Sequence, residues 1–227
     1  MRIALGLGIG IGLTVALVGR AQEPTADEKK AVTVAQLLKG RPVVDTSLHP
    51  AARVGVKFDT ATDATLVALA KHPQIGSIQA LDGTGCTAKG FTALQALPNL
   101  RRLTLNKCRV TDKDLAALAG CEQLRVLVIP ESSLTDAGLV AAKKLTRLEH
   151  LDLSDNPRIT DKAMEHIKTL ERLEILYLNK TGISDAGLSE LASLEGLRAL
   201  NVSGTKVTAT AAEKFPDKMP NLRVVRR

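Results

Sequence analysis

The chain has 227 residues, a formal net charge of +7, 44% apolar and 24% charged residues, and only 2% aromatics. That apolar share can bury a core and excludes wholesale disorder. The aromatics are Phe58, Phe91, Phe215 and Tyr177, with no Trp, so the core is aliphatic and base-stacking platforms for single-stranded nucleic acid are excluded.

The chain opens with Arg2, an apolar run from Ile3 to Val18, then Gly19-Arg20-Ala21 and the polar Gln22-Glu23-Pro24. A basic start, an apolar middle and a small-x-small junction are the anatomy of a secretory signal. The run is shorter than the ~20 residues needed to cross a bilayer, and Gly6, Gly8, Gly10 and Gly12 weaken it as a helix. The expectation is a signal at 1–21 cleaved after Ala21, with a retained amino-terminal anchor as the alternative. The protein is then exported: periplasmic, secreted or membrane-anchored. No Cys near Ala21 offers lipid attachment.

Residues 22–50 read as a linker and an amino-terminal cap. Thr25 and Glu28 form a capping box for a helix over 25–39, and Gly40 supplies a stop. Val32, Ala35 and Leu38 face the chain that begins at residue 51, and Pro42-Val-Val-Asp45 adds a strand.

From residue 51 onward the chain repeats itself. Leu100-Arg-Arg-Leu103-Thr-Leu105 recurs as Leu124-Arg-Val-Leu127-Val-Ile129, Leu148-Glu-His-Leu151-Asp-Leu153, Leu173-Glu-Ile-Leu176-Tyr-Leu178 and Leu197-Arg-Ala-Leu200-Asn-Val202. Weaker copies start at Ala51 and Ile75, and a last strand starts at Leu222. The starts 51, 75, 100, 124, 148, 173, 197 and 222 are 24 or 25 residues apart, which gives seven units and a terminal strand over 51–227. Each unit begins with a short strand, apolar at offsets 0, 3 and 5. A Thr-Asp or Ser-Asp pair comes next at Thr62, Thr111, Thr135, Thr160 and Ser184. The hydroxyl caps a helix and the Asp suits the positive end of its dipole. Apolar pairs three apart (Leu115 and Leu118, Leu139 and Ala142, Met164 and Ile167, Leu188 and Leu191) mark one face of a short helix. One such unit cannot bury its apolar face; a stack of seven can.

The pattern L-x-x-L-x-L-x-x-(N/C/S/T)-x-(I/V)-T-D-x-G-L resembles the leucine-rich repeat family. Leu134-Thr-Asp-Ala-Gly138-Leu139 and Ile183-Ser-Asp-Ala-Gly187-Leu188 resemble its cysteine-containing and GALA-type subclass. The first two units and the last depart from the pattern: Thr87-Ala88 and Thr208-Ala209 lose the Asp, and Ala212 replaces a Leu. The resemblance implies an α/β leucine-rich repeat solenoid, with a curved parallel sheet on the concave side and short helices on the convex side. Arg226-Arg227 at the last strand discourage edge pairing. A monomer is expected, with an edge-mediated dimer left open.

Three cysteines in an exported chain raise the question of a bridge. Cys86 takes the place of Ile159 and Ile183, Cys121 that of Leu145 and Leu194, and Cys108 the small turn position shared with Ser132, Asn156, Thr181 and Thr205. Buried, inert thiols are expected, with a Cys86–Cys108 bridge as the lesser alternative. Asp59 is assigned to the same turn position in the first unit.

Strand residues between the leucines point away from the core, so offsets 2, 4, 6 and 7 are expected to write the function on the concave face. In the first unit these are Arg53, Lys57 and Phe58. The face yields a basic pair, Arg102 with Lys107, and a second cluster of His150, Asp152 and Asp155 beside Tyr177 and Asn179. Val126, Val128 and Ile175 are unusually apolar for solvent, and Tyr is favoured at binding hot spots. The candidate binding residues are Arg102, Asn106, Val126, Val128, His150, Asp152, Tyr177 and Asn179. No catalytic residue, metal site or cofactor is assigned, since no Gly-rich phosphate loop, nucleophile elbow or Cys/His metal spacing occurs.

Eight strands ~4.8 Å apart and ~13 Å of exposed strand give a face of about 450 Å², against about 800 Å² per partner in a standard interface. A peptide or small domain fits the face alone. The expected function is a non-enzymatic, exported scaffold that binds a protein or peptide, not nucleic acid; the membrane is a partner only if the amino-terminal segment is retained. The family resemblance implies an alternative, a substrate-recognition arm of a ubiquitin ligase, although 22–50 leaves no room for an F-box.

Overall fold

A computed structural model describes residues 24–44, 53–219 and 222–225. The expected signal or anchor at 1–21, Asp45, and Arg226-Arg227 lie outside the described residues.

Helix α1 (Ala26–Leu37) has the predicted box: Glu28 N–H donates to Thr25 Oγ1 (3.2 Å) and Thr25 N–H to Glu28 Oε2 (2.7 Å). It ends in a Schellman turn, Gly40 N–H bonding Ala35 O and Lys39 N–H bonding Gln36 O. The left-handed residue of that turn is Lys39 (φ 60°). Gly40 has a different task from the stop expected of it: a Cβ there would lie 2.6 Å from Phe58 Cε1 and 2.8 Å from Val56 Cγ1.

Among the described residues a nine-stranded sheet runs in chain order: β1 (Arg41–Val44), β2 (Val54–Thr62), β3 (Ile75–Gly85), β4 (Arg102–Leu105), β5 (Val126–Val128), β6 (His150–Asp152), β7 (Ile175–Tyr177), β8 (Ala199–Asn201) and β9 (Arg223–Val225). β1 is antiparallel to β2, and every later neighbour pair is parallel. Between strands lie α2 (Asp63–Leu69), α3 (Ala88–Leu94), α4 (Asp112–Leu118), a 3-10 helix at Gly138–Lys144, α5 (Asp161–Ile167), α6 (Asp185–Glu190) and α7 (Ala209–Lys214). Offsets 0, 3 and 5 of the central units, such as Leu124, Leu127 and Ile129, are fully buried between sheet and helices.

Two registers differ from the repeat count. β2 pairs Val56 with Ile78 and Phe58 with Ala80, so the first unit starts two residues later than Ala51. Phe58 therefore occupies offset 5. It lies in the core, 1% exposed, and not on the concave face as expected. The strand runs on past the point where later units turn, so Asp59 is not at the small turn position; it is exposed and paired with Arg41 (2.5 Å). At the far end β9 pairs Arg223, not Val224, with Ala199.

The Thr-Asp motif works between units. Asp63 accepts from Thr87 N–H (2.7 Å), Thr87 Oγ1 (2.7 Å) and Gly90 N–H (3.1 Å). Asp112 accepts the N–H and hydroxyl of Thr135, Asp136 those of Thr160, Asp161 those of Ser184 and Asp185 those of Thr208, all at 2.6–2.9 Å. Each carboxylate thus caps the helix of the next unit. The motif glycine admits it: a Cβ at Gly90 would sit 2.5 Å from Asp63 Oδ1, and one at Gly138 or Gly187 would collide with Asp112 or Asp161.

Ala88 breaks this chain, so Thr111 has no carboxylate from the preceding unit. Asp114, at the place of the motif glycine, supplies one from its own helix, accepting from Thr111 N–H (2.8 Å) and Oγ1 (2.7 Å). Asp114→Gly is expected to lower unfolding free energy by about 2 kcal/mol, a lost cap plus glycine in a helix. Adding Ala88→Asp is expected to restore most of it in urea titrations. No recovery would show that the carboxylate's origin matters more than its position.

Candidate functional site

The sheet face turned away from the helices carries two rows of side chains in register. One runs Ser77, Arg102, Val126, His150, Ile175, Ala199, Arg223; the other runs Gln79, Thr104, Val128, Asp152, Tyr177, Asn201. Val126, Val128, Ile175, Tyr177 and Ala199 are half-buried with no described helix over them; Val126 and Ile175 flank His150, and Ala199 lies one strand further on. The imidazole meets the Tyr177 ring edge-on, centroids 5.3 Å apart and planes at 75°. His150 Nε2 is inaccessible and has no hydrogen-bond partner. Burial holds the His150 pKa below its ordinary value; Asp152 pulls it up and Arg102 pushes it further down. Val126, His150 and Ile175 therefore form an uncharged, apolar window at neutral pH, with Asp152 beside it in the second row.

The polar members are less free than the sequence suggests. Asp152 Oδ1 accepts from Ser154 N–H (2.9 Å) and the Ser154 hydroxyl (2.5 Å), and the Asn179 amide lies 2.6 Å from that hydroxyl. Asp82 with Thr84 and Asn201 with Ser203 repeat the Asp152–Ser154 turn. Asn106 Nδ2 donates to Ala80 O (3.4 Å). These groups close the strand ends as they leave the sheet.

Offset 7 belongs to a turn and not to the strand face. Lys107, Glu131, Asp155 and Lys180 take left-handed backbone (φ 50–58°), and Gly204 does so at 69°. Lys107 and Asp155 thus stand on a ridge beside the face. Asp155 pairs there with Lys180 (2.8 Å), whose pKa it raises by hydrogen bond and charge. The structure brings His150 to Tyr177, links Asp152 to Asn179 through the Ser154 hydroxyl, and leaves Arg102 exposed beside Val126. Ala199 and Arg223 join the row without having been expected there. Ala199 sits at offset 2 and is readable from the repeat; Arg223 enters the row only through the shifted register of β9.

The cysteines are free and buried. Cys108 Sγ lies 3.9 Å from Cys86 O, and its interaction with the Cys86 side chain, with burial, pushes its pKa up. Burial pushes Cys121 up to about 12. Thiols so held are poor nucleophiles. Among the described residues no group of three or more His, Cys, Asp or Glu could hold a metal ion, and no helix is long and apolar enough to cross a membrane.

Residues 98–157 match the leucine rich repeat family, and 172–192 match a second leucine rich repeat description. The array is a leucine-rich repeat solenoid. The solenoid is similar to internalin C2 from Listeria monocytogenes, with 23% identity and a TM-score of 0.56 over 71% of this chain and 66% of that one. It thus spans just under two thirds of the internalin chain, and at this identity the likeness is one of fold. No curated protein matches the chain in sequence.

Proposed function

We propose that the protein is a non-enzymatic, exported scaffold that binds a protein or peptide on the open face of its sheet. The observation that carries this reading is the apolar window: Val126, Val128, Ile175 and Tyr177 beside His150, with Ala199 one strand further on, on a face that no described helix covers. Apolar side chains gathered at the centre of a polar surface are the composition of an interface core. The Arg102 side chain at its margin carries charge suited to a rim. Export rests on the signal-like segment at 1–21, and the subclass on the Asp–Gly fit at Gly90, Gly138 and Gly187.

Affinity capture with the wild-type protein, against extract of its own compartment, tests the reading. Tyr177→Ala with His150→Ala is expected to lose the captured partner, with a weakening of about 2 kcal/mol or more, while circular dichroism stays unchanged. A partner retained in full by the folded double variant would sink this placement.

A further inference from the structure

The two ends of the window carry the same charge. In the first row Arg102 precedes Val126, and Arg223 comes after Ala199. Both arginines are exposed, and neither forms an ion pair among the described residues. The interior of the row, Val126, His150, Ile175 and Ala199, holds no charge at neutral pH. Nearby charges are mostly matched: Arg125 pairs with Glu149 (2.8 Å), Glu174 with Arg198 (3.7 Å) and Asp155 with Lys180. Asp152 stands beside the window's centre and repels an anion there. Lys57, exposed in the second row two strands before Arg102, extends the positive end.

We propose that the occupant of this face is an extended peptide crossing the strands, apolar in its middle and acidic at both ends, its carboxylates meeting Arg102 and Arg223. This rests on the binding reading above and adds the chemical class. β4 and β9 are five strand spacings apart, ~24 Å, which an extended chain covers in about seven residues. The recognised pattern is an Asp or Glu, a run with two or three apolar residues, and a second acid about seven positions on. Arginine holds a carboxylate by a two-pronged hydrogen bond, so the charges fix register as well as affinity.

The test pans a displayed library of random twelve-residue peptides on the full chain, then measures recovered peptides by fluorescence anisotropy. Enriched sequences are expected to carry acids spaced about seven apart around an apolar centre. Their binding is expected to weaken about tenfold in Arg102→Gln with Arg223→Gln, as for two rim ion pairs, and to weaken with added salt. Peptides that need Tyr177 but show no acidic excess, or ignore the arginine substitutions, would overturn the acidic class and leave the face as the binding surface. Peptides indifferent to Tyr177→Ala, or no enrichment at all, would overturn both readings.

Discussion

Phe58→Ala is expected to destabilise the fold by about 3–5 kcal/mol, the range for removing a buried aromatic ring. The ring is 1% exposed, and the cap packs directly on it, Gly40 fitting only because it lacks a Cβ. No other aromatic in the first unit can fill the space, so the cavity stays open. The loss should reach beyond the strand, because α1 and β1 are seated on β2. Urea unfolding monitored by circular dichroism measures it. A change within 0.5 kcal/mol, as for an exposed position, would reinstate the register counted from Ala51 and put Phe58 back on the open face.

Gly187→Ala is expected to cost about 3 kcal/mol, far above the usual gain from replacing a helical glycine. The new methyl would run into Asp161 Oδ1 and displace the carboxylate from Ser184 N–H (2.7 Å) and Oγ (2.6 Å). Bonds to a charged acceptor contribute about 1.5–3 kcal/mol each. Asp161→Ala alone should cost about as much, and the double variant no more than either one, because clash and lost cap are one event. Additive losses would show that the two sites act separately. The same carboxylate gives a pH signature. Burial works against its charge, but the Ser184 hydroxyl and backbone bonds outweigh this and hold its pKa below the ordinary Asp value. Stability from such a group is present above the unfolded pKa and lost as pH falls through the folded one. Asp63, held likewise by Thr87 and Gly90 against its own burial, should behave the same way. The gap between wild type and Asp161→Asn is therefore expected to close below about pH 4.

The repeat and its buried offsets are legible in the sequence because Leu, Ile and Val at 0, 3 and 5 leave one way to face the helices. The first unit is not, because Val54, Val56 and Phe58 alternate through two registers and only pairing with β3 chooses between them. Offset 7 misleads for a local reason. Strand alternation does not extend past residues such as Leu105, where the backbone already turns left-handed at Lys107. Asp152, Asn179 and Asn201 read as free surface because their partners, two residues on or one unit away, are invisible to a face-by-face count. The window itself is visible as Val126, Val128, Ile175 and Tyr177 at solvent-facing offsets, and it lacks only its margin at Ala199 and Arg223.

Every inter-unit cap points one way: the carboxylate belongs to the earlier unit and the capped helix to the later one. The array therefore has a grammar as well as a shape. During synthesis each new helix emerges into a neighbour that already holds its acceptor, so growth from the amino terminus never waits on residues still unmade. Trimming whole units from the carboxyl end leaves every remaining cap supplied, whereas trimming from the amino end orphans the first helix it exposes. Among the described units, Thr62, capped by Thr65 of its own helix, and Thr111, which carries its own carboxylate in Asp114, escape that dependence. Among the described joints between units, the one after Ala88 is thus where this solenoid can be cut and restarted with its first helix still capped.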